Sequence, residues 1–192
     1  LLLLGDMSTK FVNPKDPKML GLFGDAGSAV AIDYKKKTIN RSYFSFGTDG
    51  GGYKNLIYET NGMDKNSNKK YLKMDGAKIF EFALKEIPIQ INKLLHKSKN
   101  KFNSIDYFVF HQANKFLLQT LMKKLKIPSK KVIFSIDDYG NTNSASIPIT
   151  MFKNLKYKRN IKILVCGFGV GYSWGSGIIN LGKVSYPLLN KI

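Results

Sequence analysis

Residues 105–114 read Ile105-Asp106-Tyr107-Phe108-Val109-Phe110-His111-Gln112-Ala113-Asn114. The first six are mostly aromatic or β-branched, and a short apolar run of this kind predicts a buried strand. An amphipathic segment at residues 115–126 predicts a helix after the four polar and small residues. Because α/β folds place their ligand sites at the carboxyl ends of such strands, we expect His111 to belong to any site this protein has.

A second apolar run, at residues 132–136, predicts another strand, which is followed by Tyr139-Gly140-Asn141-Thr142 and a further helix. This order places Asn141 at a second strand end, in the same expected site as His111. On the residue pattern alone, an asparagine after glycine is typical of a turn, and a single histidine is typical of a hydrogen-bonded core residue.

The segments on either side complete an α/β pattern. Residues 1–4 predict a buried strand, a strand that continues through residues 30–32 follows a run of small residues suited to close packing, and a hairpin is expected at residues 41–46. Apolar positions three and four apart predict a long helix after Asp75, a plausible N-cap, with a kink or break at Pro88.

Toward the carboxyl end, residues 161–166 predict a buried strand, and residues 178–181 predict a last one. The glycine-rich residues 167–177 between them are typical either of a tight connection or of backbone N–H groups brought close to a ligand. His96 lies among lysines at a predicted helix end, where a solvated or capping role is expected.

Composition excludes several classes of protein. The chain has 192 residues, of which 43% are hydrophobic, enough for a sizeable core. Its lone cysteine, Cys166, excludes a disulfide framework and a cysteine-rich zinc site, and its place in an apolar run predicts a buried small hydrophobe and not a nucleophile. No apolar run is long enough to span a membrane, so we expect a cytoplasmic protein without a membrane span.

The formal net charge of +18 suggests an acidic partner, although lysine is spread along the whole chain and compositional bias explains most of the charge. Arginine, the preferred residue for phosphate and base recognition, occurs only at Arg41 and Arg159. No zinc-finger or RNA-recognition motif is present. We therefore rank nucleic acid below an acidic protein as the partner.

Several stretches resemble the β-ketoacyl-acyl carrier protein synthase III family, in the family's order and spacing. They are Phe23-Gly24-Asp25-Ala26-Gly27-Ser28-Ala29, Met74-Asp75-Gly76, Phe110-His111-Gln112-Ala113-Asn114, Tyr139-Gly140-Asn141-Thr142 with Ser146-Ile147-Pro148, and Gly167-Phe168-Gly169-Val170-Gly171 with Ser173-Trp174-Gly175-Ser176. The resemblance implies an α/β thiolase-like fold with α-β-α-β-α layers. Residues 1–68 would end the amino-terminal half, and residues 69–192 would form the carboxyl-terminal half.

The resemblance also implies an acyltransferase of fatty acid biosynthesis, which condenses an acyl-coenzyme A primer with malonyl-acyl carrier protein after decarboxylation. His111 and Asn141 would be catalytic, donating hydrogen bonds to the enolate oxygen, and His111 would be neutral if it faces a helix N-terminus. The backbone N–H of Val170 would bind the acyl oxyanion, with Phe168 and Gly169 beside it in the pocket. The residues expected to bind substrate along the pantetheine channel are Gly76, Phe80 and Asn114.

The same resemblance implies no cofactor and no metal, an acidic carrier protein as partner, and a cytoplasmic homodimer. The family's nucleophilic cysteine lies upstream of anything in this sequence, so a carboxyl-terminal fragment or split-gene product, inactive alone, is expected. Phe116 stands where the family often has a carrier-docking arginine. The alternatives are therefore a specialised relative serving a secondary or surface-glycan pathway, and a non-catalytic half-subunit that pairs with a complete synthase.

Overall fold

The computed structural model describes residues 1–32, 41–58, 71–155 and 160–182. The strands are β1 (Leu2–Asp6), β2 (Ala26–Val30), β3 (Tyr43–Thr48), β4 (Leu56–Tyr58), β5 (Leu72–Met74), β6 (Tyr107–Phe110), β7 (Ile161–Gly169) and β8 (Ser173–Leu181). The helices are α1 (Pro17–Leu20), α2 (Gly76–Lys97), α3 (Lys115–Lys124), α4 (Ile136–Tyr139) and α5 (Ser146–Leu155), joined in places by short 3-10 turns. This mixture of helices and strands is the α/β class predicted from the sequence.

A four-stranded sheet of order β3-β8-β7-β6 forms the centre of the fold. The β6–β7 pair is parallel, with Phe110 opposite Cys166, and the other two pairs are antiparallel. The parallel register brings the carboxyl end of β6 beside the carboxyl end of β7. The segment after β6, which begins with His111, therefore lies next to the turn between β7 and β8.

Helix α2 covers one face of this sheet, as its apolar periodicity predicts. Asp75 caps it by accepting a hydrogen bond from the Lys78 N–H at 3.0 Å, and Pro88 is buried within one continuous helix. Six of its apolar residues at these spacings are buried: Phe82, Ala83, Ile87, Ile91, Leu94 and Leu95. They share a core with the apolar face of α3 and with inward side chains of β6 and β7. The α2–sheet packing thus supplies the rigid base of the site.

The opposite face of the sheet has two kinds of cover. Val109 and Ile163 are fully buried there, on the side of α5. Farther along, the rings of Phe44 and Phe46 stack at 6.5 Å and lie over the Cα positions of Gly177 and Gly175. Aromatic rings on an edge strand fill the space that the two glycines leave open.

Two sequence predictions about strands are wrong, both because of contacts distant in sequence. Residues 132–136 form one parallel bridge, between Val132 and Phe108, and then turn into α4. The turn occurs because the Ser135 N–H donates to the side chain of Gln112 and the Ser135 carbonyl accepts from Tyr139. Instead of a hairpin at residues 41–46, β3 is an edge strand paired with β8.

The first strand is present but is not buried as predicted, since Leu1 and Leu3 are 85% and 70% exposed. It forms a two-stranded antiparallel sheet with β2, while Ile32 lies beyond the end of β2 and is also exposed. The predicted division at residue 68 remains a prediction, and β3 precedes it yet joins the sheet of β6, β7 and β8. The polar residues 66–70 predict a solvated loop, and both this segment and Arg159 lie outside the described residues.

Candidate active site

A cavity of about 650 Å³ opens at the carboxyl ends of β6 and β7. Its lining includes all eight residues that the sequence singled out: Gly76, Phe80, His111, Asn114, Asn141, Phe168, Gly169 and Val170. Residues from β1, α2, β7 and α5 also reach it, so the cavity collects parts of the chain that are far apart in sequence. The structure therefore brings the predicted site residues together, although their chemical roles remain predictions.

His111 follows directly after β6 and is held in place from three sides. Its backbone N–H donates to the Cys166 carbonyl at 2.8 Å, which extends the β6–β7 pairing by one residue. The Phe168 ring meets the imidazole edge-on, at 5.6 Å between centroids and an angle of 82°. The third contact joins His111 Nδ1 to the Ser146 hydroxyl oxygen at 2.8 Å. These contacts leave the imidazole one orientation at the cavity wall.

Gln112, the next residue, is a fully buried support for this arrangement. Its Nε2 donates to the Phe110 carbonyl at 2.7 Å, and its Oε1 accepts from the Ser135 N–H at 2.9 Å. A buried amide with both ends paired fixes the backbone on which it sits. No local pattern indicates this role, because Ser135 lies 23 positions away from Gln112.

The environment lowers the pKa of His111 to about 4, chiefly because burial disfavours the charged imidazolium. The backbone of Asn143 and the Asp6 carboxylate act in the opposite direction, but more weakly. The ring also contacts Ser146, the first residue of α5, where a helix dipole disfavours a positive charge. His111 is therefore neutral at pH 7, so one of its ring nitrogens carries a proton and can donate a hydrogen bond.

Asn141 enters the cavity from a tight turn. Gly140, at φ = +64°, has a backbone conformation that favours glycine, and the next residue bonds to the segment before β2. The Asn141 N–H donates to the Leu22 carbonyl at 2.9 Å, and the Asn141 carbonyl accepts from the Gly24 N–H at 3.0 Å. The close packing that the small residues near Gly24 predict therefore serves to hold Asn141.

The side-chain amide of Asn141 has a defined orientation. Its Oδ1 accepts from the Asn143 N–H at 3.0 Å, which requires the oxygen to face that donor and the NH₂ group to face away. No hydrogen bond within the described part of the chain engages Asn141 Nδ2. Asn141 is 6% exposed and lines the cavity, so it presents an N–H donor without a protein acceptor.

The turn between β7 and β8 carries Val170, which lines the cavity and is 65% exposed. Gly171, at φ = +136°, makes the turn possible. Tyr172 then anchors it: its ring stacks on Phe82 at 4.1 Å, and its hydroxyl accepts from Asn55 Nδ2 at 2.9 Å. Backbone hydrogen bonds run in both directions between Tyr172 and Asp49. An exposed turn is thereby fixed to the core.

The cavity lining also contains the residues predicted to border a substrate channel. Phe80 stacks on Phe116 at 5.5 Å, and Gly76 has open space where a Cβ would lie. Asn114 caps α3 through its Oδ1, which accepts from the Leu117 N–H at 2.8 Å. The side-chain oxygen of Asn114 therefore faces the start of α3, and its NH₂ group faces away from the Leu117 N–H.

Cys166 is buried as predicted and does not take part in this cavity. Its thiol is fully enclosed, and burial raises its pKa to about 12. A thiol with so high a pKa is a poor nucleophile at neutral pH. Among the described residues, no three His, Cys, Asp or Glu side chains are grouped to hold a metal ion. The cavity therefore offers hydrogen-bond donors and apolar walls.

Comparison with known proteins points to one family. The family model described as "3-Oxoacyl-[acyl-carrier-protein (ACP)] synthase III C terminal" matches residues 95–181. The β-ketoacyl-[acyl-carrier-protein] synthase III of Prochlorococcus marinus (strain MIT 9215) is 34% identical over 189 residues, which cover 92% of this chain and 56% of that protein.

Two crystal structures show the same relationship in three dimensions. One, of a 3-oxoacyl-(acyl-carrier-protein) synthase III, has a TM-score of 0.85 and 35% identity, covering 93% of this chain and 59% of that one. The 3-oxoacyl-(acyl-carrier protein) synthase from Burkholderia xenovorans LB400 has a TM-score of 0.82 and 34% identity, covering 94% and 55%. These matches confirm the predicted thiolase-like fold. The chain spans a little over half the length of these relatives.

Proposed function

Because the chain belongs to the β-ketoacyl-acyl carrier protein synthase III family, we propose that it carries the enolate-forming part of a decarboxylative condensation site. The observation that supports this most is the pair of neutral donors, His111 and Asn141, which both line the cavity. A neutral imidazole and a side-chain amide can each donate to one developing oxyanion without bringing a positive charge into the cavity.

In the proposed reaction, a malonyl thioester enters with its thioester oxygen toward these two donors. The bond between the α-carbon and the carboxylate breaks, carbon dioxide leaves, and the electron pair forms an enolate whose charge rests on the thioester oxygen. Hydrogen bonds from His111 and Asn141 Nδ2 would be stronger to this oxyanion than to the neutral carbonyl, so they would lower the barrier.

The enolate carbon then attacks an acyl carbonyl, and the thiolate that held the acyl group leaves. The backbone N–H of Val170 would stabilise the tetrahedral oxyanion of this second step, with Phe168 and Gly169 beside it. Cys166 cannot hold the acyl group because it is buried with a raised pKa. The acyl group would therefore rest on a nucleophile supplied from outside this sequence.

The proposed substrates are an acyl-coenzyme A primer and malonyl-acyl carrier protein, in the initiation of fatty acid biosynthesis. Gly76, Phe80 and Asn114 would border the pantetheine arm, and the chemistry needs no cofactor. An acidic carrier protein fits the net charge of +18, although that charge is spread along the chain. A cytoplasmic homodimer is part of the same proposal. Within the described residues, no helix has the length and apolar character needed to cross a membrane.

The proposal is tested by measuring carbon dioxide release from malonyl-coenzyme A, with wild-type chain and with His111→Ala. Removal of one oxyanion donor should lower the rate about 100- to 1000-fold. His96→Ala is the matched control, because His96 is exposed at the end of α2 and outside the cavity. The complete condensation needs a cysteine from outside this sequence, but the decarboxylation step as proposed does not. Release that is the same in wild type and His111→Ala, or absent from both, would therefore overturn the proposal.

A further inference from the structure

We propose that Ser146 is a positioning residue that fixes the tautomer of His111, placing the ring proton on Nε2. Its consequence for catalysis rests on the proposed function, but the tautomer itself is a property of the folded chain. The question matters because a neutral imidazole donates from only one of its two nitrogens. A catalytic donor must carry its proton on the nitrogen that meets the substrate.

The contact that carries the proposal is the 2.8 Å separation between His111 Nδ1 and the Ser146 hydroxyl oxygen. Ser146 is 1% exposed, so its hydroxyl cannot turn to solvent for another partner. The Gln112 N–H donates to the same oxygen at 3.4 Å. The Ser146 hydroxyl oxygen thus already accepts one hydrogen bond, in addition to its contact with the imidazole.

Two arrangements of the remaining protons are possible. If Nδ1 carried the ring proton, Ser146 would accept from both Gln112 and His111, and its own buried O–H would have no acceptor recorded within the described residues. If Nδ1 is unprotonated, the Ser146 O–H donates to it and all three groups are paired. Since a buried hydroxyl without an acceptor is destabilising, the second arrangement is favoured.

The carbonyl of Asn143 is the competing acceptor for a ring proton. A backbone hydrogen bond to Asn143 raises the pKa of His111, but the contact with a defined ring atom is the one between Nδ1 and the Ser146 hydroxyl, at 2.8 Å. Ser146 therefore determines where the proton resides. The nitrogen left free, Nε2, then has the N–H that enolate stabilisation requires.

The chain contains two histidines, so its tautomers can be read directly. We would label histidine with ¹⁵N, remove the second signal with His96→Gln, and record two-bond ¹⁵N–¹H correlations at pH 7. The expected spectrum has a protonated Nε2 and an unprotonated Nδ1. A protonated Nδ1 in this otherwise unaltered chain would overturn the proposal, whether its proton goes to Ser146 or to the Asn143 carbonyl.

Variants separate the hydroxyl from the packing around it. Ser146→Ala should shift the spectrum toward a mixture of tautomers, and Ser146→Thr, which keeps a hydroxyl, should restore the Nε2–H form. Ser135→Ala is the matched control, since it removes another buried hydroxyl that bonds to Thr150 and not to His111. An unchanged Nε2–H spectrum in Ser146→Ala would contradict the assignment. If Ser146→Ala fails to fold, the spectra of the His96→Gln chain and of Ser146→Thr decide the question.

Activity gives a second readout. Ser146→Ala should lower kcat for malonyl-coenzyme A decarboxylation at least about tenfold with little change in KM, because only the donor in the transition state is affected. An Nε2–H spectrum that depends on Ser146, in a chain without decarboxylase activity, would support this inference while refuting the proposed function. An active chain with the proton on Nδ1 would support the proposed function and refute the assignment of the tautomer.

Discussion

The backbone carbonyl of Asn141 accepts a hydrogen bond from the Gly24 N–H at 3.0 Å, across 117 positions of the chain. Gly24 is the residue that allows this approach, since a Cβ at its position would lie 2.1 Å from the Tyr139 carbonyl oxygen. The turn that presents Asn141 to the cavity is therefore seated against the segment before β2, and its position depends on the absence of a side chain there.

A methyl group added at position 24 should disrupt this packing against Tyr139 and Asn141. We expect Gly24→Ala to lower the free energy of unfolding by at least about 2 kcal/mol, because the clash is with backbone and cannot be relieved by a rotamer change. Gly21→Ala is the matched control, with open space around the added Cβ. Denaturant unfolding of both variants measures the effect. Equal midpoints for Gly24→Ala and Gly21→Ala would show that the segment before β2 and the turn that carries Asn141 are not tightly packed.

Asn141→Asp tests the donor role of Asn141 with almost no change of shape. One carboxylate oxygen can still accept from the Asn143 N–H, but the other replaces the NH₂ donor with a negative charge. We expect the rate of malonyl-coenzyme A decarboxylation to fall about 100- to 1000-fold. Asn13→Asp controls for the added charge, since Asn13 lies in a turn outside the cavity and keeps its bond from the Lys15 N–H. Full activity in Asn141→Asp would remove Asn141 from the mechanism.

The lowered pKa of His111 predicts how stability depends on pH. The unfolded chain binds a proton near pH 6.5 and the folded chain only near pH 4, so His111 favours the folded state above pH 6.5. That contribution, at most about 3 kcal/mol, is lost as the pH falls from 6.5 to about 4. Unfolding free energies of wild type and His111→Gln across this range provide the check. The curve of His111→Gln should fall less steeply than that of wild type; parallel curves for the two would contradict the prediction.

The Tyr172–Asn55 hydrogen bond should stabilise the turn that carries Val170. A double-mutant cycle with Tyr172→Phe and Asn55→Ala should give a coupling energy of about 1 kcal/mol in denaturant unfolding. Tyr53→Phe is the control for loss of a phenolic hydroxyl, because Tyr53 is 51% exposed. A coupling energy near zero would mean that the stacking of Tyr172 on Phe82 holds the turn without the hydrogen bond.

Local pattern was sufficient for the elements whose burial follows from their own residues. The spacing of apolar residues after Asp75 predicted α2 and its cap, and the composition of residues 105–110 predicted β6. Prediction failed at residues 132–136 because an apolar run has no local sign that Gln112, 23 positions earlier, will bond to Ser135 and turn the chain. The strand at Leu2–Asp6 was predicted, but its burial depends on what covers it and not on its sequence.

The site shows the same limit. A resemblance to known sequences placed His111 and Asn141 together, and the cavity that both line agrees with it. The role of Ser146 could not be predicted from its motif, because a serine at the start of a helix is common. Its contact with His111, 35 positions away, is a tertiary contact. Residues that orient catalytic groups leave weaker traces in a sequence than the groups themselves.

The rings of Phe44 and Phe46 over Gly177 and Gly175 tie together positions that lie more than 120 apart in the chain. A Cβ at position 177 would lie 2.7 Å from the Phe44 ring. A larger residue therefore fits at position 177 only if the side chain at position 44 is smaller or the ring moves. The residues of each pair should therefore covary among homologues. Homologues with alanine or serine at position 177 should carry a smaller side chain opposite it, and a glycine reversion should accompany the return of the aromatic ring.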